Sequence, residues 1–234
     1  ALTTDQIVAF TSDQVVGLTT ANIAALTSDQ ARALTTDDLQ QLTSAQVNAL
    51  TTANAAALKT AQIASLSTAQ VKGLSTANAA ALTTDQIVAL TTQQASVLTI
   101  SQTAKLSSDQ VQALETADLA AISSDALNAL GTANVAAIKT SQIAALTTAQ
   151  SAGLSTANVA ALTTDQVVAL TTAQVSNLST AQLAALTTDQ LAAMETADVA
   201  AITTAQITAL PTAQVAAMST TQVANLSTAQ LAAL

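Results

Sequence analysis

The chain has 234 residues, half of them apolar, with fourteen acidic and five basic side chains. A net charge of −9 argues against nucleic acid and against anionic membrane surfaces, since both recruit Lys and Arg. There is no Cys to build a disulfide framework or thiolate metal site, and no apolar run approaches the ~18 residues of a membrane span.

From the amino terminus onward the sequence counts in eights. Leu2, Phe10, Leu18, Leu26 and Leu34 open a series of large apolar residues that runs to Met218, Leu226 and Leu234. No step is skipped, so residues 3–234 divide into 29 octads, most of them readable as T-T-x-Q-V-A-A-L. A short fixed period of this kind signals a solenoid or array. The opening Ala-Leu-Thr carries neither an initiator Met nor a signal peptide, which reads as a processed product or an excised piece.

Each octad carries a helix-start signal. In Thr83-Thr84-Asp85-Gln86-Ile87-Val88-Ala89-Leu90, Thr83 and Gln86 have the spacing of a capping box. Leu82 and Ile87 have that of a hydrophobic staple. The first place is thus expected to be the N-cap. The second place is more uniform, being Thr or Ser everywhere except Ile100, and is expected to bond to a neighbouring coil.

Departures from the pattern fall in chain order. Arg32, Lys72 and Lys105 lie late in their octads, at the negative end of a helix dipole, whereas Lys59 and Lys139 occupy the first place. All fourteen acidic residues lie in the first half of an octad, including the adjacent Asp37 and Asp38, the fourth-place Asp118 and Asp198, and the first-place Glu115 and Glu195. The dipole and capping account for these carboxylates. Gly131 and Pro211 also replace a first-place Thr or Ser.

A helix of about seven residues is unstable alone, because nucleation is costly below ~12 residues. The octads must therefore stack, burying Leu and the fifth-place Val, Ile or Leu against neighbours. The expected fold is all-α: a superhelical solenoid of very short helices, one per octad, with aliphatic side chains inward and Thr and Gln in the corners. One continuous helix is disfavoured because the apolar spacing alternates three and five and would drift off any single face. A β-solenoid is disfavoured by Ala and Gln.

A longer period lies above the octad. Thr3 to Ala9 recurs at Thr83 to Ala89, Lys59 recurs as Lys139, and Glu115 to Asp118 recurs as Glu195 to Asp198. The chain is read as one continuous repeat array, 1–234, with an 80-residue super-repeat over 3–82, 83–162 and 163–234. Tandem duplication is the favoured explanation. The alternative is that ten octads complete whole superhelical turns and align special residues on one stripe.

No catalytic, cofactor-binding or metal-binding residue is expected. There is no His, the hydroxyls have no adjacent base, and no glycine-rich phosphate loop is present. The chain is therefore not expected to be an enzyme or to hold a cofactor. The Leu-Thr-x-x-Gln stretches are similar to the LTxxQ motif of periplasmic stress proteins and to the start of TAL-effector repeats, over five to eight residues only. Across its whole length the chain resembles bacterial exported low-complexity proteins of L-T-T-A-Q-V-A-A-L octads. That resemblance implies a surface or adhesin-like protein, extracellular or at the cell surface. The expected role is a structural rod, stalk or filament formed by end-to-end self-association, with no nucleic acid partner and no membrane insertion. Alternatives are an adhesin-like module for a protein or carbohydrate, and ice binding through Thr arrays.

Overall fold

The computed structural model describes residues 2–234. Among them are 29 α-helices and no strand, one helix per octad, from α1 (Thr4–Val8) to α29 (Thr228–Leu231). The helices are four to seven residues long, shorter than any that would persist alone in water. Nearly all begin at the second place of the octad, because the eighth and first residues are extended: Leu82 has φ −60° and ψ 137°, and Thr83 has φ −72° and ψ 162°. These two residues turn each corner.

The turn differs at Gly131, which has a φ of +76° and begins its helix at the first place. Leu130 before it is helical, with φ −56° and ψ −31°. A left-handed φ is open to glycine at no steric cost, so the departure from Thr at this first place has a backbone reason.

The chain divides into two compact units, Ala1–Ala126 and Leu127–Leu234. Within each, a helix packs on the one three octads further along. In the first unit α1 lies against α4 (Ser28–Ala33), α4 against α7 (Thr52–Ala57), and α7 against α10 (Thr76–Ala81). In the second, α21 (Thr164–Val168) lies against α24 (Thr188–Ala193), and α24 against α27 (Thr212–Ala217). Three octads therefore complete one coil, and each unit is a solenoid of three-helix coils. This supplies the number of helices per coil, which the sequence does not disclose.

It also disposes of the stripe. Octads 3–10 and 83–90 are near-copies, yet α1 heads the column of α4, α7 and α10. Helix α11 (Thr84–Val88) instead stacks on α8 (Thr60–Ser65), and α8 on α5 (Thr36–Gln41). Ten is not a multiple of three, so an 80-residue period moves a residue to a different side of the coil.

The fifth and eighth places form the core. Ile87 is 1 % exposed and Leu90 6 %, while Val88 between them is 47 % exposed. The aliphatic spacing of three and five thus places two side chains inward per octad and leaves the sixth place outside. Small residues at the sixth and seventh places let helices of successive coils approach. At Gly73, in α9 (Thr68–Gly73), an added Cβ would come within 2.9 Å of the Ser44 Cβ on α6 (Ser44–Asn48).

Core and surface should separate sharply within one octad. Ile87→Ala is expected to destabilise by about 2–5 kcal/mol through the lost burial and the cavity left behind. Val88→Ala, one residue along, is expected to change stability by no more than about 0.5 kcal/mol. Urea denaturation of the two variants followed by circular dichroism checks the contrast.

Candidate functional site

The repeated polar element is the side-chain amide at the fourth place. Gln86 is 1 % exposed, so all its polar atoms require partners. Its Oε1 accepts the Thr83 N–H at 2.8 Å, while the Thr83 hydroxyl accepts the Gln86 N–H at 3.2 Å. This is the capping box expected from the sequence, with the first place as N-cap. The other end of the amide points to the coil below. Its Nε2 donates to the carbonyl oxygens of Leu58 at 2.7 Å and Ala55 at 2.9 Å, 28 and 31 residues earlier.

The same arrangement recurs throughout. Gln62 donates to Leu34 and Ala31, Gln102 to Leu74 and Val71, and Gln166 to Ile138 and Val135. A short helix leaves its first N–H and last C=O groups without internal partners. One Gln serves the N-terminus of its own helix and a C-terminus in the coil beneath. The second role was not drawn from the sequence, where capping alone accounted for Gln. Its signal was the confinement of the fourth place to Gln, Asn or Asp in every octad except at Ala126.

Some shorter side chains keep only the downward bond, whereas Asn22 closes a capping box with Thr19. Asn54 donates through Nδ2 to the Leu26 carbonyl at 2.8 Å, and its Oδ1 accepts from the Ser28 hydroxyl at 3.1 Å. Asp118 follows the same register, since its Oδ1 accepts from the Thr92 hydroxyl at 2.7 Å. Its Oδ2 is buried without a hydrogen-bond partner. Burial pushes this carboxyl above the ordinary aspartate range; the Thr92 bond opposes the shift and the nearby Glu115 charge adds to it. Asp198 is raised likewise, by burial first and then by Glu195, against a hydrogen bond from Thr172. Dipole and capping therefore do not account for every carboxylate, as the sequence suggested. Asp38 is different: its Oδ2 accepts the Thr35 N–H at 2.8 Å and closes a capping box, while its neighbour Asp37 is exposed.

Pro211 produces the converse defect. Proline has no N–H to give to the amide three residues on, and the Oε1 of Gln214 is accordingly buried and unpartnered. Gln214 retains its downward bonds to the carbonyls of Leu186 and Ala184. Lys59 and Lys139 are exposed N-caps without a side-chain cap bond, and each still donates its backbone N–H to the following Gln.

Second-place hydroxyls also link coils. Ser28 and Thr92 bond upward to Asn54 and Asp118, and Ser44 donates to the Ala69 carbonyl at 3.0 Å. Among the described residues no three His, Cys, Asp or Glu side chains converge to hold a metal ion, and no helix is long and apolar enough to cross a membrane.

Two faces depart from the interior pattern. At the first coil of the first unit the fourth-place amides Gln6, Gln14 and Asn22 are exposed, whereas Gln30 is buried, as are the later fourth-place Gln residues through Gln110. Leu2 is exposed, and Phe10, Leu18 and Leu26 are half-buried around an open apolar depression. At the last coil of the second unit the eighth-place Leu210, Met218 and Leu226 are buried. Here the fifth-place Val223 and Leu231 are exposed instead, at 37 % and 46 %. One face thus shows amide donors and eighth-place side chains. The other shows fifth-place side chains and the corner carbonyls of Leu210, Met218 and Leu226, to which no described residue brings an amide from above.

An all-helical array of capped octads, joined coil to coil by side-chain amides, defines a repeat-based structural protein. The ALTTAQ repeat family's sequence profile matches residues 32–68, 56–92, 111–148, 135–172, 168–196 and 191–228, most of the chain. The chain belongs to the ALTTAQ repeat family. No curated protein matches it.

Removing the amide should cost far more than a cap. Gln86→Ala leaves the Ala55 and Leu58 carbonyls without their buried donor and is expected to destabilise by about 2–4 kcal/mol, from orphaned polar groups plus the lost cap. Thermal denaturation and hydrogen exchange around residues 55–90 measure this. Pro211→Thr should act in the opposite direction. It restores an N–H for Gln214 Oε1 and a capping hydroxyl, about 0.5–2 kcal/mol for the cap alone. The entropic advantage of proline that it forfeits is about 0.4–1 kcal/mol. The expected outcome is a raised thermal midpoint.

Proposed function

We propose that the protein is a structural rod, stalk or filament element outside the cell, extended by stacking one copy's first coil on another copy's last coil. The observation that carries this reading is the complementarity of the two open faces. The amides of Gln6, Gln14 and Asn22 and the side chains of Phe10, Leu18 and Leu26 are the groups that an interior coil directs at the coil beneath it. The carbonyls of Leu210, Met218 and Leu226 and the side chains of Val215, Val223 and Leu231 are what that lower coil offers. A copy-to-copy joint in this register repeats the internal contact between coils. Such a joint is heterologous and does not close on itself, so it generates an open filament.

The extracellular placing rests on the resemblance to exported octad-repeat proteins. For the ice-binding alternative the hydroxyl array is interrupted, since Ser28, Ser44 and Thr92 bond to neighbouring coils.

Sedimentation velocity and negative-stain electron microscopy across a concentration series test the reading. The expected result is concentration-dependent growth into single-file particles. Val223→Asp, on an already exposed side chain, is expected to abolish growth while leaving the helical signal intact. A monodisperse monomer at high concentration, or growth indifferent to Val223→Asp, overturns it. Immunogold labelling of source cells tests the placing, and a purely intracellular signal refutes it.

A further inference from the structure

Most interior fourth places of known geometry direct a hydrogen toward the corner carbonyl 28 residues earlier; Asn158 donates instead to the carbonyl and side chain of Asn128, and Asp38 accepts the Thr35 N–H. Gln does so through Nε2, as from Gln86 to Leu58, and Asn through Nδ2, as from Asn54 to Leu26 and Asn78 to Leu50. Asp118 has the shape of Asn and sits in the Asn register. The hydroxyl 26 residues earlier is on Oδ1 in both cases, Ser28 for Asn54 and Thr92 for Asp118. By that register the second carboxyl oxygen falls where Asn54 carries its nitrogen, and the corner carbonyl 28 residues earlier is that of Leu90. Two oxygens opposed in a site 2 % exposed repel unless something positive lies between them. Oδ2 is buried and has no hydrogen-bond partner.

We infer that Asp118 is a proton-binding site: its carboxyl keeps a hydrogen on Oδ2 and donates it to the Leu90 carbonyl. Asp198, 3 % exposed and set above Thr172 as Asp118 is above Thr92, is assigned the same role toward Leu170 by that likeness of register. The charged neighbours agree with retention of the proton. Helix α12 (Thr92–Ser96), packed against the Asp118 helix α15 (Thr116–Ala121), carries no titratable side chain. Neither α22 (Thr172–Ser176) nor α28 (Thr220–Ala224), packed against the Asp198 helix α25 (Thr196–Ala201), carries one. The charges that act on the two groups are Glu115 and Glu195, both negative. The inference is independent of filament formation.

The sign of the pH effect follows. A carboxyl with a folded pKa above its unfolded value stabilises the fold fully below the unfolded value, ~3.9 for aspartate. That contribution is lost as pH rises through the folded value. Asp118→Asn combined with Asp198→Asn supplies the hydrogens at every pH. The wild type and this double variant are therefore expected to share a thermal midpoint near pH 3. The variant should pull ahead as pH rises toward neutral. Carbon-13 NMR of labelled aspartate should show two carboxyls titrating above the rest, absent from the variant. A midpoint difference that does not change with pH overturns the inference, as does a spectrum with no high-titrating carboxyl. So does a difference at neutral pH that sodium or calcium chloride erases, which would put a cation where the proton is assigned.

Discussion

The side-chain amide at the fourth place solves a problem created by the brevity of the helices. A helix of five or six residues has more backbone groups without a partner inside the helix than with one, since about four N–H groups at its start and about four C=O groups at its end are orphaned. In this protein these ends are packed together at corners, where water is excluded from the amide. Gln joins the two kinds of orphan: Oε1 takes an N–H from the corner of its own coil, and Nε2 gives to carbonyls of the corner beneath. The bonds from Gln86 to Thr83 and Leu58 are local in one direction and 28 residues distant in the other. Secondary and tertiary structure are thereby made by the same group of atoms, and neither persists without the other.

That coupling explains why the count of eight never slips. An inserted residue would move a Gln off its corner and turn the fifth-place side chain out of the core. The damage would pass to the coil above, whose amides need those carbonyls. Contacts reach three octads along the chain, so the stability of any coil is set chiefly by its neighbours, as expected of a one-dimensional array. Within that constraint the outward sixth place, exemplified by Val88, is free to vary, and the inward fifth place accepts Val, Ile, Leu and Ala in turn. The fourth place is held to Gln, Asn or Asp in every octad but one.

Much of this was legible from residues. The helix start at Thr83, its staple from Leu82 to Ile87 and the case against a long helix follow from spacings within one octad, because capping is a local interaction. The number of helices per coil was not legible, because it depends on how far one corner turns the chain, and T-T-x-Q encodes the corner without stating its angle. The downward bond of Gln86 was hidden for a related reason: its acceptors are backbone carbonyls, which carry no sequence signature. The 80-residue period was visible but misleading about alignment, since a repeat of ten octads and a coil of three share no common divisor.

The departures then follow from what the ladder requires of each atom. Pro211 removes the hydrogen that Gln214 Oε1 would accept, and an acceptor is stranded. Asp118 has an oxygen where Asn54 has a nitrogen, so its downward bond depends on the carboxyl's own proton. Both leave the helices in place and alter the hydrogen-bonding capacity of one corner. Shape is fixed redundantly, by aliphatic packing at the fifth and eighth places of every octad. Bond polarity is fixed once per octad by a single side chain. Changes in polarity are consequently the ones that such a repeat can carry without unfolding, and they make individual octads chemically distinct within an otherwise uniform array.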